Sequence, residues 1–189
     1  MDLAMDFLIR PLTSADGEAW RVLRMEALKD QPAAFTASYE DALELDPAEL
    51  AAFIPAEDAP SVLFGLFVDG ALEGCAGLFI GSGSKVRHKG LLWGVYVRPG
   101  WQGRGFGRAL VARVIEEARG KVDLLQAGVA AINDAARRVY FGLGFQLYGL
   151  ERAALRVDGA DIDEELLWID LRNGADSLPA APISDRRAP

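Results

Sequence analysis

The sequence predicts a mixed α/β fold, a central sheet of about seven strands with about four helices on its faces. Three observations point there. Two pairs of strand-like segments meet at Asp69-Gly70 and Asp158-Gly159, dipeptides that suit the tight turns of hairpins. An apolar run at residues 91–97 leads through a glycine-rich turn into a stretch with helical periodicity. Helix starts before and after that unit carry capping residues, Asp46 and Asn133.

Taken in order, Phe7–Pro11 reads as the first strand. Thr13, Ser14 and Asp16 can then cap a helix that runs to about Lys29, with Val22, Leu23 and Ala27 as its buried stripe. A second helix starts at Asp46 as N-cap, with Pro47 in the first position and Glu49 in the third, a capping box, and runs to about Phe53. Between them residues 31–44, with Phe35 and Tyr39, read as an irregular segment placed to cover a site. Residues 61–68 and 71–80 form the first hairpin, and 81–84 a loop. The run at 91–97 is so continuously apolar and aromatic that it reads as a strand buried on both faces, broken by Arg98-Pro99-Gly100. Phe106, Leu110, Val114 and Ala118 recur at helical spacing across 105–120, and 122–130 is the next strand. Asn133 caps a helix that ends near Gly142 or Gly144, and 145–157 with 162–171 form the last hairpin. One domain, residues 1–172, is expected. Residues 173–189 lose the apolar pattern, fill with Ala, Pro, Ser, Asp and Arg, and read as a disordered tail.

Composition narrows the function classes. The chain has 189 residues and a net charge of −8, which disfavours nucleic acid and anionic membranes as partners. Cys75 is the single cysteine, so there is no internal disulfide and no multi-thiolate metal site; a reducing, cytoplasmic setting is expected, with no metal. Set between Gly74 and Ala76 in an apolar strand, Cys75 reads as a small core residue. His88 is the single histidine and lies near Lys and Arg, as a solvated surface residue would. Asp2 and Asp6 stand where an export signal carries positive charge, and no segment approaches the roughly 18 apolar residues of a membrane span.

The turn at Gln102, Gly103, Arg104, Gly105, Phe106 and Gly107 carries the chemistry. Glycines directly before a helix clear side chains from backbone N–H groups at the positive end of the helix dipole, which suits a phosphate. Arg98, Arg104 and Arg108 crowd the same stretch and can neutralise a pyrophosphate. A dinucleotide fingerprint starting at Gly103 would need glycine where Arg108 stands, and the Gly-Lys-Ser/Thr of a P-loop is absent.

The turn resembles the coenzyme A motif Gln/Arg-x-x-Gly-x-Gly/Ala of the GNAT superfamily of N-acetyltransferases. Val95, Tyr96 and Val97, followed by Arg98-Pro99, look like that family's central strand, whose backbone pairs with the pantetheine arm. Asn133, Ala135, Ala136, Tyr140, Gly144 and Phe145 look like its Asn-x-x-Ala-x-x-x-Tyr-x-x-x-Gly-Phe segment, at the family's separation. The resemblance implies an N-acetyltransferase. Acetyl-CoA would be held by Val95, Tyr96, Val97, Gln102, Gly103, Arg104, Gly105, Phe106, Gly107, Arg108 and Asn133, and Tyr140 would protonate the departing thiolate. Asn133 and Tyr140, seven residues apart, share one helical face. A backbone N–H near Tyr96 and Val97 would stabilise the oxyanion of acyl transfer.

The expected partners are acetyl-CoA and an amine on a small molecule or a protein, met in a ternary complex. Whether the chain forms a homodimer stays open. Many members of the family place a basic carboxylate on the central strand, and residues 91–97 contain none. Glu26, Glu40, Asp41 and Glu151 are the open candidates, with His88 behind them. A non-catalytic acyl-CoA sensor is the competing reading. The acceptor pocket is expected from residues 31–44 and the hairpin around Asp158-Gly159.

Overall fold

The structure, a computed structural model, describes residues 6–172. Seven strands form one sheet: β1 (Phe7–Pro11), β2 (Val62–Val68), β3 (Ala71–Ile80), β4 (Lys89–Val97), β5 (Leu124–Ala130), β6 (Gln146–Val157) and β7 (Ala160–Asp170), in the order β1-β2-β3-β4-β5-β7-β6. Every pairing is antiparallel except β4 with β5. Five α-helices lie among the described residues: α1 (Gly17–Asp30), α2 (Tyr39–Glu44), α3 (Pro47–Ala51), α4 (Phe106–Ala118) and α5 (Asp134–Gly142).

Alternation along the strands divides the core in two. Phe64, Leu66, Ala76, Leu78 and Val97 point to the face covered by α4, where Leu110, Val111, Val114 and Ala118 meet them. Leu63, Leu72, Cys75 and Tyr96 point to the other face, against Trp20, Leu23 and Ala27 of α1. The fully buried indole of Trp20 donates to the Leu50 carbonyl at 3.3 Å, which ties α1 to α3. Asp46 and Glu49 form the expected capping box, each side chain accepting from the other's backbone N–H at 2.8 Å. Asp69 and Gly70, like Asp158 and Gly159, have positive φ, as tight hairpin turns require.

The structure departs from the sequence expectations in four places. The segment 31–44 contains a 3-10 turn, Pro32–Ala34, and the helix α2, started by Ser38 Oγ accepting from Asp41 N–H at 2.9 Å. Six residues with Ala42 alone buried leave no periodicity to read. Val22 is 38% exposed, because Trp20, Leu23 and Ala27 set the buried face and Val22 falls beside it. The second capped helix stops at Ala51, and Phe53 lies beyond it, 43% exposed. The central strand is not buried on both faces: Leu91 is 43% exposed, and Trp93, Gly94 and Val95 are half-buried. The expected tail, residues 173–189, lies outside the described residues.

That exposure has a topological cause. β4 and β5 pair only over Lys89↔Leu124, Gly90↔Leu125 and Leu91↔Gln126, then part. Beyond them β5 stays with β7, and β4 stays with β3 through a register shift between Cys75 and Gly77. Gly94, opposite that shift, has φ +65°, a conformation that favours glycine. The sheet therefore splits at its centre, and among the described residues one edge of β4 beyond Leu91 has no strand beside it.

Candidate active site

The split opens into a cleft of about 660 Å³ that runs through the sheet. Val95, Tyr96 and Val97 of β4 line it, with Gln102, Gly103, Gly105, Gly107 and Arg108 at one end and Asn133 and Tyr140 on α5. Sequence elements far apart in the chain thus meet in one place. Tyr96 lines the cleft, while its ring is buried against α1 and its hydroxyl donates to Asp30 Oδ2 at 3.0 Å.

At the turn, Gly103 and Gly105 have φ of +73° and +85°, and a Cβ built on Gly103, Gly105 or Gly107 would meet nothing within 4 Å. The N–H groups of Gly103 and Gly105 have no hydrogen-bond partner among the described residues, and the first turn of any helix leaves further donors unpaired. An open cradle of donors at the start of the 13-residue α4 fits a phosphate group. Gln102 holds the turn in place, its amide donating to the Val97 carbonyl at 2.8 Å. Phe106 is buried, its ring against Phe7 and Trp101, and it does not line the cleft.

The three arginines do not converge as expected. Arg108 lines the cleft and donates to the Gly142 carbonyl at 3.0 Å. Arg104 lies over the Trp101 ring, 4.9 Å from its centroid. Arg98 turns away: it pairs with Glu26 at 2.6 Å and Glu73 at 3.2 Å, and lines a separate hollow between β1 and α1.

On α5, Asn133 Oδ1 accepts from Ala136 N–H at 3.1 Å, so the same side chain caps the helix and lines the cleft. Tyr140, one face along, is buried with its ring 5.6 Å from that of Phe145. Burial raises its phenol pKa, and the charge of Glu164 adds to the rise.

Glu164 is the carboxylate that the sequence reading missed. It stands on β7 and lines the cleft on the face opposite to Glu165, which binds Arg137 of α5 at 2.9 Å. Its tip crosses Gly128 of β5, where a Cβ would lie 2.5 Å from Oε1. Desolvation raises its pKa first, and Glu151, directly opposite on β6, raises it further. The earlier candidates sit elsewhere. Glu26 is engaged by Arg98, Glu40 and Asp41 are on the exposed side of α2, Glu151 is exposed beside Glu164, and His88 is exposed before β4. Cys75 is a buried thiol that donates to the Gly94 carbonyl at 3.1 Å, and burial pushes its pKa up to about 12. The signal for Glu164 was Gly128, since a glycine inside a strand marks a close approach.

Gln31, Phe35 and Thr36, from the segment after α1 that was expected to cover a site, line the cleft, and so does Arg24 of α1. The hairpin at Asp158-Gly159 does not reach it, contrary to expectation. No helix among the described residues is long and apolar enough to cross a membrane, and those residues hold no cluster of metal-binding side chains.

Comparison with known proteins identifies the family. The chain is 48% identical over 65 residues to the N-alpha-acetyltransferase RimI of Mycobacterium tuberculosis, a match covering 34% of this chain and 40% of that protein. Among solved structures, an acetyltransferase of the GNAT family from Streptococcus pneumoniae superposes with a TM-score of 0.78 at 23% identity, over 87% of this chain and 99% of its own. The yncA structure from Salmonella typhimurium, solved with acetyl-CoA as its cofactor, gives 0.77 at 24% identity, over 92% and 99%. The sequence model of the acetyltransferase (GNAT) family matches residues 20–145, a span that contains the glycine turn, Asn133 and Tyr140. The chain therefore belongs to the acetyltransferase (GNAT) family, whose members are acyl-CoA-dependent N-acyltransferases.

Proposed function

We propose that the protein moves the acetyl group of acetyl-CoA directly to an amine, within one complex that holds both. The observation that carries this reading is the cleft through the split sheet, with Tyr140 on the α5 face and Glu164 on the α1 face. A donor and an acceptor can then enter from opposite sides and meet between β4 and β5. The relative from M. tuberculosis is an N-alpha-acetyltransferase, which supports an amine as the acceptor.

Acetyl-CoA, when bound, supplies an activated acetyl thioester and a thiolate leaving group. The turn at 103–108 holds its phosphates through backbone donors and Arg108. The free edge of β4 at Val95, Tyr96 and Val97 pairs with its extended arm as a strand would, and Asn133 borders the same path. Glu164 takes the proton of the attacking amine at its carboxylate; burial that raises its pKa makes it a better base near neutral pH. Tyr140 gives its hydroxyl proton to the departing sulfur, and its raised pKa keeps that proton in place until then. One N–C bond forms and one C–S bond breaks, with one proton taken up at Glu164 and one delivered from Tyr140. Direct transfer is supported by Cys75, which is buried, hydrogen-bonded and too weakly acidic to form a thiolate.

The test is release of free coenzyme A from acetyl-CoA in the presence of a panel of amines, with the N-acetyl product identified by mass. Intact mass of the protein after acetyl-CoA alone should show no added acetyl group. A stable acetyl-protein that passes its acetyl group to amines would overturn direct transfer.

A further inference from the structure

Charge is segregated along this chain. Residues 30–73 hold ten Asp and Glu and no Lys or Arg, whereas residues 74–115 hold seven Lys and Arg and no Asp or Glu. Part of each run is answered inside the molecule, since Asp30 accepts from Tyr96 and Glu73 from Arg98. The rest is not. Glu40, Asp41, Glu44, Glu57 and Asp58, on α2 and after α3, make no ion pair among the described residues, and neither do Lys85, Arg87 and Lys89 at the approach to β4. All of these are exposed except Lys89, which is half-buried. Each patch repels itself and gains from a neighbour of opposite sign.

Both patches also carry uncovered apolar side chains, Leu43, Leu45 and Phe53 on the acidic side and Phe79, Val86 and Leu91 on the basic side. The two sides adjoin on one face of the molecule. The Phe53 ring lies 6.1 Å from that of Trp93, which packs toward Trp20 of α1. Leu91 is two residues from Trp93 on β4 and shares that face, and Phe79 of β3 stands opposite Leu91 in register. Lys85, Arg87 and Lys89 follow in the connection that leaves β3 just beyond Phe79. One surface therefore runs from acidic helices across an apolar strip to a basic loop.

We propose that two copies of this chain pair through that surface about a twofold axis, with the acidic helices of each copy on the basic loop of the other and the apolar strips between them. A surface that is acidic on one side and basic on the other is complementary to itself after a rotation of 180°, and both contacts then form at once. Any other orientation sets like charge against like. A basic peptide would answer only the helices and an acidic one only the loop. A second copy answers both and covers the strip. The inference does not depend on which molecule is acetylated.

The test is the mass of the full-length protein in solution, followed by sedimentation over about 1 µM to 1 mM. At about 0.05 M salt a dimer should form, and it should weaken by about tenfold or more at about 0.5 M, where charges are screened within a few ångströms. Two charge reversals follow: Glu40→Lys with Glu44→Lys, and separately Lys85→Glu with Arg87→Glu. Each should give a monomer with the melting temperature of wild type, since these side chains are exposed. Mixed in equal amounts, the two reversed proteins should pair with each other, because reversing opposite patches restores attraction at both contacts. If a reversed protein does not fold, Glu44→Gln and Arg87→Gln take its place, and each should weaken the dimer. A wild-type monomer throughout would leave the patches to partners of other kinds and overturn the proposal. A dimer that salt does not weaken, a dimer that survives either set of substitutions, or reversed monomers that fail to pair when mixed would overturn it as well.

Discussion

Replacing Gly128 by alanine moves one carboxylate and little else. The added Cβ would stand 2.5 Å from Glu164 Oε1, against an ordinary contact of 3.4 Å or more, so the carboxylate must shift by about 0.9 Å. The three atoms in conflict, Oε1, Cδ and Oε2 of Glu164, all belong to the end of a flexible side chain, and Gly128 sits in a strand, so the backbone can accept alanine. Its own effect on the fold is a gain of up to about 1 kcal/mol from a less mobile unfolded chain. A displacement near 1 Å of a catalytic group costs on the order of 100-fold, and loss of the base entirely costs about 100- to 10,000-fold. Gly128→Ala should therefore lower kcat by about 30- to 100-fold, with Glu164→Gln lower still. Affinity for acetyl-CoA, measured by calorimetry, and melting temperature should stay near wild type. The assay is coenzyme A release with the best amine of the panel. Full activity in folded Gly128→Ala would mean that the placement of Glu164 does not matter, and full activity in Glu164→Gln would remove it from the chemistry.

Other consequences can be checked separately. Tyr140→Phe should keep acetyl-CoA affinity and lose about 100- to 10,000-fold in kcat, provided transfer limits the rate; equal rates would mean that solvent protonates the sulfur. Gly105→Val should weaken acetyl-CoA binding at least tenfold, because φ of +85° is strained for valine and the side chain enters the donor cradle; unchanged calorimetry would move the phosphates elsewhere. The raised pKa of Glu164 means that its burial costs no stability below the ordinary glutamate range, and a cost that grows as pH rises through the raised pKa and is complete above it, so Glu164→Gln should raise the melting temperature at pH 8 and not at pH 4. Asp16 behaves in the opposite sense. Arg10 and the Thr13 backbone hold its pKa down at about 2, so the stability it contributes is present above its ordinary range and fades as pH falls through about 2. Asp16→Asn should cost about 1 kcal/mol at neutral pH and much less in strong acid.

Local chemistry was legible in the sequence. The capping box at Asp46 and Glu49, the turns at Asp69 and Asp158, and the capped start of α5 each depend on residues within four positions of one another. The glycine turn was legible for the same reason, and the spacing of Asn133 and Tyr140 brought both to the cleft. What escaped depends on partners distant in the chain. Arg98 looked like part of a basic turn until Glu26, 72 residues away, proved to hold it. The register that places Glu164 opposite Glu151 and across Gly128 is set by three strands at once. The continuous apolar run at 91–97 was right as a strand and wrong in its burial, since nothing local says that a neighbouring strand will part from it.

The three residue pairs that join β4 to β5 also decide how the molecule holds together. β1–β4 with α1 and α4 make one half, β5–β7 with α5 the other, and within the sheet only Lys89–Leu91 against Leu124–Gln126 bridge them. An extended ligand that bonds to the free edge of β4 while touching α5 would act as a clasp across that seam. Its binding energy would then reach every amide whose exchange requires the halves to separate, not only those it touches. Hydrogen exchange with and without acetyl-CoA should show slowed amides on β5 and β7 as well as at the turn, and an increase in the cooperativity of thermal unfolding.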